Sequence, residues 1–417
     1  MKRFMLFIAM VGFVATSCSK TIVKDEVETA ISFSTESGKL TRAIVQNNAY
    51  STEQPFGVFA YSHQKDEAGN VIAEKTTTVM NNVEVYYDKT VANNPVWRAS
   101  GDVKYYWPND PRTSMDFYAF SPACSTANVT KTLAAHQQLN GTVAHTEAAG
   151  FSLTGYVHSN MYVDFMVATP VKGATYVDPS GTAANPNNQQ QGEVPLVFNH
   201  KMTQILFNVT TDVPYPGVTF TIEKIALKNV RDEATYASDA WTVTNDSRYE
   251  GTNNEGYVIF PADTDNGAIL SNSPDNTDNT VEAEISLQYA SNANELLSMT
   301  TTGVTMIPQT MAQCSTEYVA GSDAIAAETF GQMFEIVYSI SGTGVAKETV
   351  TKHIPFWPSV ADISKQGQNY QYNVVHWGPN KRVTYKVKIG LNEVTFEPSV
   401  ANWEENVPAG NTYTFVQ

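Results

Sequence analysis

The chain has few cysteines, few charged residues and, after its first residues, no long apolar run. Of 417 residues, only 16% are charged and three are cysteines. A disulfide framework is therefore excluded, and Cys124 and Cys314, which lie far apart, are predicted to stay unpaired, although an oxidising compartment allows one bridge. No segment after residue 15 reaches the roughly 18 apolar residues that a membrane-spanning helix needs.

Basic stripes are also missing. The 26 basic residues are scattered among 42 acidic ones, which gives a formal net charge of −16. A protein that neutralises phosphates needs clustered Lys and Arg, so no nucleic-acid partner is expected. The acidity indicates solubility and does not indicate a substrate.

Motifs of catalysis and of metal or cofactor binding are absent. The sequence contains no His-Glu-x-x-His pair, no Cys-x-x-Cys pair, no phosphate-binding Gly loop and no Gly-x-Ser-x-Gly elbow. The seven histidines are dispersed, and His200 is interpreted as a structural residue. The acidic segment 263–278 lacks the glycine and glutamate spacing of a calcium loop. The sequence therefore predicts no catalytic residue, no metal site, no cofactor and no enzymatic activity.

Short stretches of alternating hydrophobicity are present throughout the chain. Hydrophobic residues make up 42% of the chain and aromatic residues 11%, which is enough to build packed cores. Alternation with a period of two, as at Val281, Ala283 and Ile285, is typical of half-buried strands, and turns rich in Gly, Pro and Asn separate them. The length favours two domains. The pattern thus predicts an all-β protein with a β-sandwich in each half.

The N-terminus has the features of an export signal. Two basic residues precede an apolar run over 4–15, which is followed by Thr16, Ser17 and Cys18. This end resembles a bacterial lipobox, with Ala15 where Leu is usual. The resemblance implies a lipoprotein signal peptide over 1–17, cleavage before Cys18 and a lipid anchor on its sulfur in the outer membrane. The alternative is an ordinary secretory signal with a chance cysteine.

A candidate strand and a candidate cleavage site follow the anchor. Val27, Ile31 and Phe33 share one face of an extended chain. The polar loop behind them contains Arg42 followed by Ala43, an accessible site for a trypsin-like protease. The segment 18–43 is therefore predicted to hold a removable first strand. The alternative is that Arg42 lies in a loop that no protease cuts.

Several aromatic motifs occur in a characteristic order. They are FGVFAY (56–61), YYWP (105–108), DFYAFSP (116–122), VDFMVATPV (163–171), LVFNHKMTQILFNV (196–209), MIPQT (306–310) and VTFEPSVANWE (394–404). In this order, behind a lipobox, they resemble the fimbrillin-like proteins of Bacteroidales, which are lipoprotein precursors of pilus subunits. The resemblance implies two tandem transthyretin-like antiparallel β-sandwich domains. We place them at 44–232 and 233–417, with the strands of Ile205 and Phe220 closing the first.

The resemblance also implies a mechanism and partners. Cleavage after Arg42 would remove the first strand, and a strand of another pilus subunit would fill the groove. The end of the chain, 411–417, offers a candidate donor in which Tyr413 and Phe415 alternate with threonines; its alternative role is a native last strand. A first strand lying outside both sandwiches, or buried centrally with partners on each flank, would contradict this mechanism.

A second function remains open at the sequence level. The chain would then be a lipid-anchored surface module that binds a glycan or a host protein and never polymerises. The aromatic residues at 105–107 and the polar loop at 178–192 would carry binding, although an aromatic cluster is more typical of a sandwich core and its rim.

Overall fold

The structure is a computed structural model that describes residues 30–37, 50–52, 54–90, 96–101, 103–124, 139–158, 163–175, 193–211, 218–244, 257–261, 268–270, 281–283, 304–314, 331–342, 344–357, 375–389, 393–402 and 413–416. All regular secondary structure in these ranges is β-strand. Within them, no helix is both long and apolar enough to cross a bilayer. Cys124 and Cys314 are not joined by a disulfide.

Fourteen of the strands precede residue 244. They are β1 (Ser32–Ser37), β2 (Phe56–Lys65), β3 (Val71–Asp88), β4 (Val96–Ala99), β5 (Thr113–Ser121), β6 (Thr142–Thr146), β7 (Gly150–Val157), β8 (Met166–Ala168), β9 (Val171–Ala174), β10 (Glu193–His200), β11 (Thr203–Thr211), β12 (Val218–Lys228), β13 (Glu233–Ala237) and β14 (Ala240–Val243).

The later strands are β15 (Tyr257–Pro261), β16 (Ala268–Leu270), β17 (Val281–Ala283), β18 (Val304–Met306), β19 (Gln309–Thr310), β20 (Met333–Gly342), β21 (Val345–Pro355), β22 (His376–Trp377), β23 (Lys381–Ile389), β24 (Glu393–Asn402) and β25 (Tyr413–Val416). The prediction of an all-β fold built of β-sandwiches is confirmed.

The first sheet closes on itself. Its order is β2-β3-β4-β1-β10-β8-β5, and β5 pairs with β2 again, so seven strands form a closed circuit, with β9 added to β5. Because side chains alternate along each strand, one residue set points into the circuit. This core contains Ile31, Phe33, Phe56, Val58, Val85, Trp97, Met115, Phe117, Val194, Leu196 and Phe198.

The outer face of the circuit is also covered in part. Phe59, Tyr118 and Phe120 alternate with the inward residues of β2 and β5, and they pack with Leu153 and Tyr236 in a second core. The latter two residues lie on a four-stranded sheet with the order β14-β13-β7-β6. The motifs FGVFAY and DFYAFSP therefore supply hydrophobic residues to two cores at once, which explains their aromatic content.

The second half of the chain builds a sandwich of two sheets. One has the order β17-β11-β23-β24-β25, with β18 also paired to β11, and the other has the order β15-β12-β20-β21, with β16 paired to β12. Between them lies a core that includes Ile205, Phe207, Phe220, Ile222, Ile225, Phe334, Ile336, Tyr338, Trp377, Val383, Tyr385 and Val387.

The strand pairing corrects two sequence-based expectations. The strands β11 and β12, which contain Ile205 and Phe220, pair with β23 and β20 and therefore belong to the second sandwich, not to the first domain. Conversely, β13 lies after the expected boundary but pairs with β7 in the first half. Alternation shows that a strand has one buried face, but it does not identify the neighbouring strand, and consecutive strands are neighbours only about two-thirds of the time. The second correction concerns strand direction: the resemblance implies antiparallel sandwiches, but the β1–β10 and β11–β23 pairs are parallel.

Buried polar contacts join the two halves. The Nε2–H of His158 donates to the carbonyl of Thr305 at 2.7 Å, and the Nδ1 of His158 accepts from the Tyr156 hydroxyl at 2.8 Å. The Thr305 hydroxyl in turn donates to the carbonyl of Val163 at 2.8 Å. Since Thr305 lies on β18 of the second sandwich, these bonds tie it to the end of β7.

Candidate functional site

The first strand, β1, is one member of the closed circuit. Ile31 and Phe33 are 8% and 3% exposed, while Ser32 and Ser34 on the other face are half-buried. The period of two in the sequence thus corresponds to an inward apolar face and an outward polar one. Val27, the third residue assigned to this face, lies outside the described residues.

The two flanks of β1 are paired to very different extents. On one side β1 runs parallel to β10 over six consecutive pairs, from Ser32↔Glu193 to Ser37↔Phe198. On the other side Phe33↔Trp97 is the single pair with β4. A bridge between Ala30 and Tyr106, with Ile31 N–H donating to Tyr105 at 2.8 Å, extends this flank.

β1 thus has a partner on each flank, which is the arrangement that would contradict removal of the strand. Two flanking partners alone do not exclude removal, because any strand that fills a groove between two strands pairs with both of them. The short contact with β4 leaves one long ladder, to β10, that removal of β1 would break. Without β1 the circuit would be open between β4 and β10 and would present unpaired backbone groups.

Aromatic rings form the floor beneath β1. The ring of Phe33 meets that of Phe56 edge to face, with centroids 5.9 Å apart and planes at 87°, and that of Phe117 at 6.1 Å and 85°. Such pairs contribute about 0.5–1.5 kcal/mol beyond the burial of apolar area. A strand that replaces β1 would therefore need a large apolar side chain at the position of Phe33.

Tyr50 packs into the same core on the far side of the candidate cleavage site. Its ring stacks on Phe198 with centroids 4.6 Å apart, and its hydroxyl bonds the Ser121 Oγ at 2.6 Å. Burial raises the pKa of Tyr50 strongly, so it stays protonated. The sequence gives no signal for the burial of Tyr50, because this residue stands in a polar segment without alternation.

The C-terminal strand β25 forms a hairpin partner for β24. Four antiparallel pairs join them, including Val394↔Phe415 and Phe396↔Tyr413. Among the described strands, β25 stands at the end of its sheet and pairs with β24 alone. The structure therefore has this segment as a native edge strand, one of the two roles left open by the sequence.

The remaining predicted residues are only partly placed. Cys18, Arg42, Ala43 and the loop at 178–192 lie outside the described residues. Of the aromatic cluster, Trp107 is buried, Tyr105 packs against the core, and Tyr106 is 38% exposed. The described part of this cluster is core and rim, with one exposed ring. His200 bonds Asp164 through Nδ1 at 2.5 Å, in line with its structural interpretation.

The fold is thus all-β, with a closed circuit of strands that includes β1 and a separate β-sandwich. The family model described as fimbrillin-like matches residues 41–403, so the chain belongs to the fimbrillin-like family. The family places the protein among fimbrial proteins of the cell surface. A search of curated proteins gave no match.

Solved structures of related folds are distant. The chain is 17% identical to a fimbrial protein from Bacteroides vulgatus, with a TM-score of 0.46 over 84% of this chain and 92% of that one. A putative cell adhesion protein from Bacteroides uniformis is 14% identical, with a TM-score of 0.39 over 91% and 99%. The tip fimbrial protein Mfa3 from Porphyromonas gingivalis, with a C-terminal truncation, is 10% identical, with a TM-score of 0.28 over 84% and 96%.

Proposed function

We propose that the protein is a structural subunit of a cell-surface pilus, exported as a lipoprotein anchored through Cys18 and assembled by exchange of its first strand. A trypsin-like protease cuts after Arg42, β1 leaves with the lipid, and a strand of another subunit enters the groove. The observation that carries this proposal is the position of β1 as one member of the closed circuit, with Phe33 and, just before the strand, Ile31 buried in its core.

Thermodynamics explains why cleavage is needed. While β1 is tethered to the domain, its effective concentration near the groove is on the order of millimolar, so a strand from another molecule competes poorly. The incoming strand restores the ladder and the apolar contacts, which makes the exchange itself nearly neutral in free energy. Cutting the loop removes the tether and lets the exchange proceed.

The contacts on either side of the candidate cut support the same division. Phe33 and Tyr50 anchor the chain in one core on either side of the candidate cut. A cut between them would release β1 and leave Tyr50 to keep the new N-terminal end in place.

The pairing of β25 bears on the position in the pilus. A subunit in the middle of a stalk has to offer a donor strand, whereas β25 is engaged with β24. This favours a tip or accessory position. A stalk position requires β25 to detach, with Tyr413 and Phe415 entering the groove of the next subunit.

The N-terminus of the protein on cells tests the proposal. We expect a mature start at Ala43, and we expect Arg42→Ala to fold normally but to accumulate as membrane-bound monomers. Lys39→Ala, a change of the other basic residue in the same loop, is the matched control and should be processed normally. Normal fibres from Arg42→Ala would rule out this route.

The same measurement distinguishes the proposed pilus subunit from the alternative, a lipid-anchored binding module. If the protein on cells keeps an acylated Cys18 and an intact first strand, it acts as a lipid-anchored module for a glycan or host protein. Tyr106 is the exposed aromatic ring in the described part of the cluster that such a module would use.

A further inference from the structure

Three side chains from distant parts of the sequence converge beside the closed circuit. They are His63 on β2, Asp116 on β5 and Glu147 in the turn after β6, and one ligand atom of each lies within 4.8 Å of the others. The Nε2 of His63 lies 2.8 Å from Glu147 Oε1 and 3.7 Å from Asp116 Oδ2. This cluster is separate from the β1 groove and does not depend on the proposed function.

Strand register brings the first two residues together. Tyr61 pairs with Asp116, and His63 pairs with Ser114, so His63 and Asp116 are diagonal neighbours on one face of the β2–β5 pair. Glu147 is then delivered by the turn that follows β6, where Ala149 N–H donates to Thr146 Oγ1 at 3.1 Å. The spacing in sequence gives no motif, which is why the sequence predicted no metal site.

The Nε2 of His63 is buried and makes no hydrogen bond. The residue is only 8% exposed, and the nearest group to Nε2 is the Glu147 carboxylate, at an ion-pair distance of 2.8 Å. A buried polar atom without a hydrogen bond destabilises the folded state. A cation between Nε2 and the two carboxylates would satisfy it.

Surrounding groups hold the ligands in suitable orientations. Thr76 Oγ1 contacts the Nδ1 of His63 at 3.1 Å, which leaves Nε2 for the cluster. Gly173 N–H donates to Asp116 Oδ1 at 2.6 Å, which leaves Oδ2 on the side of His63. Contacts of this kind, on the far atom of each ligand, are typical of metal sites.

The donor set indicates the metal. One imidazole and two carboxylates suit Zn²⁺, whereas Ca²⁺ and Mg²⁺ prefer oxygen ligands alone. The donor atoms of two ligands of one tetrahedral Zn²⁺ lie about 3.4 Å apart. This separation falls between the distances from His63 Nε2 to Glu147 Oε1, 2.8 Å, and to Asp116 Oδ2, 3.7 Å. Because the Glu147 side chain is 31% exposed, the cluster is open to solvent on that side, and water can take the fourth position.

We propose that His63, Asp116 and Glu147 form a Zn²⁺ site that fastens the β6–β7 turn to the closed circuit. The bound ion would cross-link three segments that the sequence keeps far apart, and it would raise the stability of the folded state by mass action.

Titration of the chelator-treated protein with ZnCl₂ in a calorimeter tests the site. We expect one Zn²⁺ per chain, an increase in Tm with zinc, and loss of about 100-fold in affinity or more in Glu147→Gln, since a direct ligand is lost. Glu67→Gln, which changes an exposed carboxylate in the turn after β2, is the matched control and should bind zinc like the wild type.

Two further variants and a spectroscopic probe complete the test. His63→Gln should remove the visible absorption of Co²⁺ bound in place of zinc, and Asp116→Asn should weaken binding even if His63→Gln fails to fold. Absence of zinc binding by the wild type would leave the cluster as an ion pair and overturn the proposal. Wild-type affinity in both Glu147→Gln and Asp116→Asn would overturn it as well.

Discussion

Two buried glutamates show how strongly the surrounding groups control the pKa of a carboxyl group. Glu84 on β3 and Glu335 on β20 are 5% and 6% exposed, and each stands between apolar residues in a strand. Burial raises the pKa of Glu84 to about 7, because neither of its oxygens has a hydrogen-bond partner. At Glu335 burial also raises the pKa, but bonds from His353 and Lys224 and the charge of Lys228 outweigh it, and the pKa is about 2. In the sequence both glutamates stand between apolar residues, so the sequence alone does not show that their pKa values differ.

Glu84→Gln should stabilise the protein at neutral and alkaline pH. Because the folded pKa is raised from 4.5 to about 7, the folded state holds the proton more tightly, and wild-type stability falls as pH rises from 4.5 to 7. The neutral amide removes this loss, which is on the order of 1–3 kcal/mol at pH 8. Urea unfolding at pH 5 and pH 8 measures it.

Glu74→Gln provides the control for that change, since Glu74 is exposed on the same strand. It should leave the pH dependence as in the wild type. Equal stability gains from Glu84→Gln at pH 5 and pH 8 would contradict the assignment of the pKa near 7.

At the scale of elements, the sequence predicted strands well and their neighbours poorly. The alternation of Ile31 and Phe33 corresponds to a strand with one buried face, whereas around Ile205 and Phe207 the opposite face is buried as well, at Gln204. The position of β11 beside β23 was not predictable, because the parallel pair joins segments separated by most of the second half. The residues of the proposed zinc site were missed for the same reason: the register of β2 and β5 brings His63 and Asp116 together, and the turn after β6 adds Glu147.

Phe33→Asp should destabilise the precursor that still contains β1. The change removes a ring packed against Phe56 and Phe117 and puts a charge into an apolar core. Loss of a buried Phe alone costs about 3–5 kcal/mol. The Tm of the purified precursor measures the effect.

Ser34→Asp is the matched control for this element, because Ser34 is adjacent to Phe33 and lies half-buried on the opposite face. It should lower Tm far less. Similar losses in the two variants would show that β1 does not present Phe33 to the core in solution.

At the scale of the whole molecule, the junction between the halves combines packing with a titratable hydrogen bond. Burial lowers the pKa of His158 to about 4, although its bond to the Thr305 carbonyl acts in the opposite direction. The neutral ring can donate to Thr305 and accept from Tyr156, so both junction contacts are present at pH 7. Met202 and Ile307, both fully buried near this point, extend the core of the first half towards the second.

His158→Phe should therefore change both the stability and its dependence on pH. The folded pKa lies below the unfolded value of 6.5, so the stability that His158 provides is present above pH 6.5 and is lost as pH falls towards 4. Phe has no such loss, but it leaves the Tyr156 hydroxyl and the Thr305 carbonyl without this partner, at a cost of about 1–3 kcal/mol each. The variant should be less stable at pH 7.5 and show a shallower decline from pH 6.5 to pH 4.5.

His145 keeps part of the decline in that variant, because burial lowers its pKa to about 4 as well. His376→Phe, at a half-buried histidine on β22, is the control and should keep the wild-type slope. Urea unfolding followed at several pH values gives both quantities. An unchanged slope in His158→Phe would mean that the junction histidine takes up its proton equally in the folded and unfolded chain, which would contradict the lowered pKa of the buried ring.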